Sequence, residues 1–201
     1  MNRVEYIMDV IAEKRRLRAS MKRLRDDLEL AEFRSHSNAV SERLLKCAEW
    51  QRAESVHVYV SAVNNEVDTL GLIFRLFDEG RTVVVPVCDH AERTLKNVKI
   101  TSMDQLIPCR FGLMEPEYSP DNEYETRRLD LVVAPLLAFD RTGHRLGFGG
   151  GFYDSLLAAI SCPAIGLAYG FQEVEKVPAE PHDRPLSIIV TDKEVIRVGN
   201  T

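Results

Sequence analysis

Apolar residues recur at steps of three and four from the start of the chain. Ile7, Val10, Leu17, Met21, Leu24 and Leu28 predict an amphipathic helix over Val4–Leu28. Lys14 falls on the same stripe and Arg18 lies one turn further along. On this segment alone, Lys14 reads as snorkelling past the edge of a core and Arg18 as solvated. Arg15, Arg16, Lys22, Arg23 and Arg25 read as an ordinary wet face. A second helix is predicted over Ala31–Ala48, with Phe33, Ser37, Val40, Leu44 and Cys47 on one side and Trp50 packing after it.

The pattern then changes to strands alternating with helices. Ser55–Val60 reads as a strand, Thr69–Glu79 as a helix closed by Gly80, and Arg81–Val87 as a second strand. Strand, helix and strand at this spacing predict a parallel pair with a right-handed crossover. Further strands are predicted at Thr94–Ile100, Leu129–Pro135, Ala164–Tyr169, Leu186–Thr191 and Val195–Val198. Leu106–Asp121 reads as irregular, and the polar Glu123–Arg128 as a mobile insertion. These elements predict an α/β fold: an open, mostly parallel twisted sheet flanked by helices, with an N-terminal helical pair. One domain over 1–201 is expected, residues 1–50 docking on it as helices.

Five of the chain's 11 glycines fall in Ala138–Asp154. Residues Tyr153, Leu156, Leu157 and Ile160 take up helical spacing after them, so the glycines are predicted to join a strand to a helix. Glycine lets backbone N–H groups approach a ligand, and a helix start adds unpaired donors of partial positive charge. Arg145 before the glycines can clamp a phosphate, and Asp154 after them can support a metal ion such as magnesium. Glu66 is predicted in a loop at the carboxyl end of the first strand, where open α/β sheets bind ligands, with Asp68 or Thr69 free to cap the next helix. Asp183, in Pro181–Arg184, precedes a strand, and its usual role would be a turn.

Several common alternatives are absent. The run lacks the terminal Gly-Lys-Ser/Thr of a Walker loop, and Phe152 stands where a dinucleotide fingerprint needs its third glycine. There is no G-x-S-x-G elbow, and the five histidines form no pair at i, i+4. The four cysteines, Cys47, Cys88, Cys109 and Cys162, form no C-x-x-C and predict reduced thiols. A net charge of -5 argues against broad nucleic-acid binding. Without an apolar run long enough for a membrane span or a secretory signal, the expectation is a cytoplasmic protein, a monomer with no membrane or nucleic-acid partner. The residues themselves reach as far as nucleotide or phosphate chemistry.

Four motifs in order carry a family resemblance. Lys14-x-x-Leu17-Arg18, Asn65-Glu66-Val67-Asp68-Thr69, Glu115-Pro116 and Phe139-Asp140-x-x-Gly143-x-Arg145-Leu146-Gly147-x-Gly149-x-Gly151-x-Tyr153-Asp154 resemble the 5-formyltetrahydrofolate cyclo-ligase (methenyltetrahydrofolate synthetase) family. The resemblance implies ATP- and Mg2+-dependent cyclisation of 5-formyltetrahydrofolate to 5,10-methenyltetrahydrofolate, releasing ADP and phosphate. It further implies that Lys14, Arg18 and the segment Arg145, Leu146, Gly147, Phe148, Gly149, Gly150, Gly151, Phe152 and Tyr153 contact ATP, with Arg145 catalytic. Glu66, Phe148, Gly149, Gly151 and Tyr153 would contact the folate, and Asp154 and Asp183 would support Mg2+. The competing readings are a folate- or RNA-binding regulatory module, resting on the basic cluster Lys14–Arg25, and a small-molecule kinase using the same loop.

Overall fold

Ser55–Val58 is buried along its whole length, as a strand covered on both faces must be, and it forms β1 in the interior of a seven-stranded sheet. The computed structural model describes residues 3–180 and 183–199, with side chains from Met8 onward. Three helices come first: α1 (Arg3–Asp26), α2 (Leu30–Leu44) and α3 (Ala48–Arg52). β1 is followed by α4 (Leu70–Asp78), β2 (Thr82–Asp89), β3 (Thr94–Ile100), β4 (Leu106–Pro108), β5 (Met114–Pro116) and β6 (Leu131–Pro135). Then come β7 (Ala138–Phe139), β8 (Arg145–Leu146), α5 (Phe152–Ala159), β9 (Ala164–Leu167), β10 (Ile188–Val190) and β11 (Val195–Arg197).

The sheet order is β11-β10-β9-β6-β1-β2-β3. Its five inner strands run parallel, while the edges β3 and β11 pair antiparallel, so the expected open, mostly parallel α/β sheet is what forms. One face packs on α2, Trp50 of α3 and α4 through Val40, Leu44, Leu72, Ile73 and Leu76. The other face packs on α5 through Val84, Val132, Ala134 and Leu156. A small third cluster docks α1, where Met21 and Leu17 meet Leu137, Leu146 and Val177.

Five local expectations need correction. The predicted second helix stops at Leu44 and resumes as α3, with Cys47 extended between them. On α1 the buried row is Val10, Lys14, Met21 and Arg25; Leu24 is 43% exposed, whereas Arg25, expected on the wet face, is 1% exposed. Ile7 lies outside the described side chains. The irregular region contains a hairpin, β4 with β5, and Glu123–Arg128 is anchored, with Tyr124 N–H donating to the Asn97 carbonyl at 2.7 Å.

The fifth concerns the glycine run, which does not leave β6 directly. The β7–β8 hairpin intervenes, and Asp140 organises its turn by accepting from Thr142 N–H at 2.9 Å and His144 N–H at 3.2 Å. Gly143 closes that turn with φ of 87°, where a Cβ would lie 2.5 Å from the Leu186 carbonyl oxygen, so glycine is required there.

Candidate active site

β1 and β6 are parallel neighbours, but the chain leaves β1 towards β2 on one side and β6 towards β9 on the other. Between their carboxyl ends a crevice opens, the usual ligand position in an open α/β sheet. α1 crosses it. The Arg25 guanidinium donates to the carbonyls of Asn64 at 2.6 Å and Val63 at 3.2 Å, beyond β1, and of Leu136 at 3.4 Å, beyond β6. In return the Asn65 amide donates to the Arg25 carbonyl at 2.9 Å. One buried side chain therefore ties both loops to the helix.

Those bonds hold Glu66 in place. Its side chain is buried and accepts from Ala62 N–H at 3.2 Å. Burial raises its pKa, and the Ala62 N–H and the charge of Arg25 oppose that rise. Next to it the Tyr153 phenol is pushed well above the usual tyrosine range by burial and then by the charge of Glu66, so it stays protonated.

The glycine run lies opposite. Arg18 Nε donates to the Gly147 carbonyl at 2.9 Å, and burial lowers the arginine's pKa against the pull of Asp183 and Glu180. Gly149 lies against the Arg18 guanidinium with φ of 108°, a backbone conformation that residues with side chains rarely adopt. Phe148 stands under two cations, with Lys22 Nζ 5.5 Å and Arg25 Cζ 5.6 Å from its ring centre. Gly151 takes a left-handed conformation and starts α5.

Charge pairs line the rest of the cleft. Arg145 donates to Asp154 Oδ1 at 2.9 Å and to the Arg184 carbonyl at 2.7 Å. Lys14 Nζ reaches Asp183 Oδ2 at 2.7 Å and Glu180 Oε2 at 2.8 Å. Asp183 also accepts from Glu180 N–H at 2.8 Å, so it does close a turn while facing Lys14. Pro181 and His182, between them, lie outside the described residues.

All the candidate residues meet in one cleft of about 540 Å³: Lys14, Arg18, Glu66, every residue from Arg145 to Asp154, and Asp183. Residues 10–192 match the 5-formyltetrahydrofolate cyclo-ligase family model. The chain belongs to that family. It is 32% identical to the 5-formyltetrahydrofolate cyclo-ligase of Haemophilus influenzae, over 87% of this chain and 95% of that one. It is 35% identical to the cyclo-ligase of Escherichia coli K12, over 71% and 80% respectively. The solution structure of Aquifex aeolicus 5,10-methenyltetrahydrofolate synthetase superposes with a TM-score of 0.80 at 30% identity, covering 94% of each chain.

For a cyclo-ligase, the donor set fits the phosphates of a nucleotide. Lys14, Arg18, Lys22 and Arg145 share the cleft with a run of backbone amides and the start of α5. Among the described residues no three His, Cys, Asp or Glu side chains converge as a metal cage. Asp154 and Asp183 nevertheless line the cleft, and Mg2+ is commonly held by one or two carboxylates together with substrate phosphates. The basic cluster of α1 is not one exposed surface, because Lys14 and Arg25 are buried. No helix among the described residues is long and apolar enough to cross a membrane.

Two contributors escaped the sequence reading. Arg25 was hidden because a cation on a helix counts as polar, although its steps of four and seven from Met21 and Arg18 put it on the docking row. His57 sits between Val56 and Val58 with no exposed surface, and burial pushes its pKa down to about 4. Its neighbours look like any buried strand, and no local signal marks it.

Proposed function

We propose that this chain catalyses the ATP- and Mg2+-dependent closure of 5-formyltetrahydrofolate to 5,10-methenyltetrahydrofolate, releasing ADP and phosphate, as a cytoplasmic enzyme. The observation that carries this is the meeting, in one cleft, of the phosphate-binding run Arg145–Asp154 with Lys14, Arg18 and the buried carboxylate Glu66. A plain phosphate site has no use for Glu66, and a plain pterin pocket has no use for the cations.

In this reading Lys14, Arg18, Arg145 and the amides of Leu146–Tyr153 bind the ATP phosphates. Glu66 accepts N–H bonds from the pterin, with Phe148, Gly149, Gly151 and Tyr153 lying between the two ligands. The N5-formyl oxygen takes up the γ-phosphoryl group as its bond to ADP breaks; N10 then attacks the activated formyl carbon, the C–O bond breaks as phosphate leaves, and the N10 proton departs with the phosphate. Arg145 faces the charge that develops on the transferred group, and its bonds to Asp154 and Arg184 keep it aimed. Asp154 and Asp183 would hold Mg2+, whose contribution is to neutralise phosphate charge. α1 and the loop after β1 close over the crevice and limit water. No protein nucleophile is needed.

Purified protein with Mg-ATP is expected to convert 5-formyltetrahydrofolate to a product with the absorbance of the methenyl compound, with one ADP released per turnover. Absence of turnover across a wide range of pH and metal concentration removes this reading. Accumulation of a stable phosphorylated product without ring closure would indicate a kinase instead.

A further inference from the structure

Beneath the glycine run, the first turn of α5 is fastened to the sheet by a polar chain. His57 on β1 has no exposed surface and lies on the sheet face covered by α5, opposite to Val56 and Val58. Its Nε2 is 3.2 Å from the Tyr153 hydroxyl and its Nδ1 is 2.8 Å from Asn97 Oδ1. Asn97, on β3, is 2% exposed, and its Nδ2 donates to Thr126 Oγ1 at 2.8 Å. The imidazole thus spans β2 to reach β3.

The amide oxygen of Asn97 sets the direction of the chain. Facing His57, Oδ1 can only accept, so Nδ1 carries the proton and donates to it. Nε2 then carries the lone pair and accepts the Tyr153 hydroxyl. Apolar side chains at 57 and 97 would continue the layer formed by Val84, Val132 and Leu156 without burying polar atoms, which is costly unless each is paired. Here each is paired, and the chain ends on the tyrosine that closes the glycine run.

We propose that His57 is a positioning residue of the active site: it takes the Tyr153 hydroxyl hydrogen bond, fixes the first turn of α5, and leaves the phenol oxygen able only to accept. Towards a ligand, Tyr153 then offers a lone pair, as Glu66 does. Two acceptors suit the N–H donors of a pterin and disfavour a ligand presenting carbonyls at the same place. The anchor rests on geometry; its effect on substrate rests on the cyclo-ligase reading.

The test has a structural arm and a kinetic arm. Imidazole ¹⁵N shifts of the wild-type protein should show His57 protonated at Nδ1 and unprotonated at Nε2; the opposite tautomer overturns the proposal. His57→Leu and Tyr153→Phe should each raise KM for 5-formyltetrahydrofolate about 10-fold, with kcat and KM for ATP each within about threefold of wild type. The double variant should be no worse than the poorer single one, because both remove the same hydrogen bond. His57→Gln, whose Oε1 can accept the hydroxyl, should recover KM to within about threefold of wild type. Multiplying effects in the double variant, or wild-type KM in a folded His57→Leu protein, overturns the proposal. Should His57→Leu fail to fold, His57→Gln decides: a KM as poor as that of Tyr153→Phe overturns it. A wild-type protein without turnover refutes the cyclo-ligase reading instead, and the ¹⁵N shifts still decide the anchor.

Discussion

Arg25 Nε donates to the Asn64 carbonyl at 2.6 Å, joining the docked helix α1 to the loop that carries Glu66. The same guanidinium reaches Val63 and Leu136, so its removal leaves three carbonyls without this donor and withdraws a cation from near Glu66. Arg25→Met should therefore destabilise the protein by on the order of 3 kcal/mol, a fall of roughly 10 °C in Tm. The KM for folate should rise more than that for ATP. Thermal unfolding and initial-rate kinetics on the same preparation check both; an unchanged folate KM would take Arg25 out of the site.

Arg145 is expected to act on the transferred phosphoryl group. Arg145→Ala should lower kcat/KM for ATP about 100-fold, the scale for loss of one oriented charge-stabilising donor. Because Arg145 also donates to the Arg184 carbonyl, a modest loss of stability should accompany it. Wild-type kinetics would remove Arg145 from the chemistry.

Asp154→Asn keeps the shape of the side chain and gives up its charge. The Mg2+ concentration for half-maximal turnover should rise roughly 10-fold, in line with the loss of one supporting group at a metal site. Titration of activity with Mg2+ at saturating ATP reads this directly. An unshifted titration curve assigns Asp154 to orienting Arg145, which it contacts at 2.9 Å, and to nothing else.

His57 gives the fold an acid sensitivity. Its pKa is about 4 in the folded protein, because burial opposes the charge, against about 6.5 for an unperturbed histidine. Above pH 6.5 both states are neutral and there is no penalty. Between pH 6.5 and 4 the unfolded chain takes up a proton that the folded one refuses, so stability is lost as pH falls. The full difference is on the order of 3 kcal/mol. Urea midpoints between pH 7 and 4 should therefore fall more steeply for wild type than for His57→Gln.

Gly149→Ala tests the run itself. At φ of 108° a side chain is strained, although its Cβ would meet the Arg18 guanidinium only at ordinary contact distance, 3.4 Å. Turnover should fall at least 10-fold while stability drops by only about 1–2 kcal/mol. Equal activity would mean that this stretch of backbone does not touch a ligand.

Much of this site could be read before any fold was known, for identifiable reasons. The order of alternating strands and helices puts loop residues such as Glu66 at strand ends, and the Arg145–Asp154 run carries its own chemistry in consecutive residues. Three of the misses share another property: each depends on contacts between distant segments. Arg25 is buried only because carbonyls after β1 and β6 converge on it. His57 is held by residues 40 and 96 positions away. Glu123–Arg128 looked mobile because its composition is polar, yet Asn97 fastens it from a neighbouring strand. The β7–β8 hairpin was the avoidable miss, since Asp140-x-x-Gly143 is a turn signature.

The placement of α1 has a dynamic consequence. Its apolar footing is small, and Met8 and Ile11 on its first half are exposed; the second half holds on mainly through Arg18, Met21 and Arg25, two of which bond to loops of the cleft. A helix attached chiefly through the binding site shares that site's local stability. Occupying the cleft should therefore slow amide hydrogen exchange in α1 well beyond the residues a ligand can touch, making the helix a reporter of occupancy as well as a wall of the site.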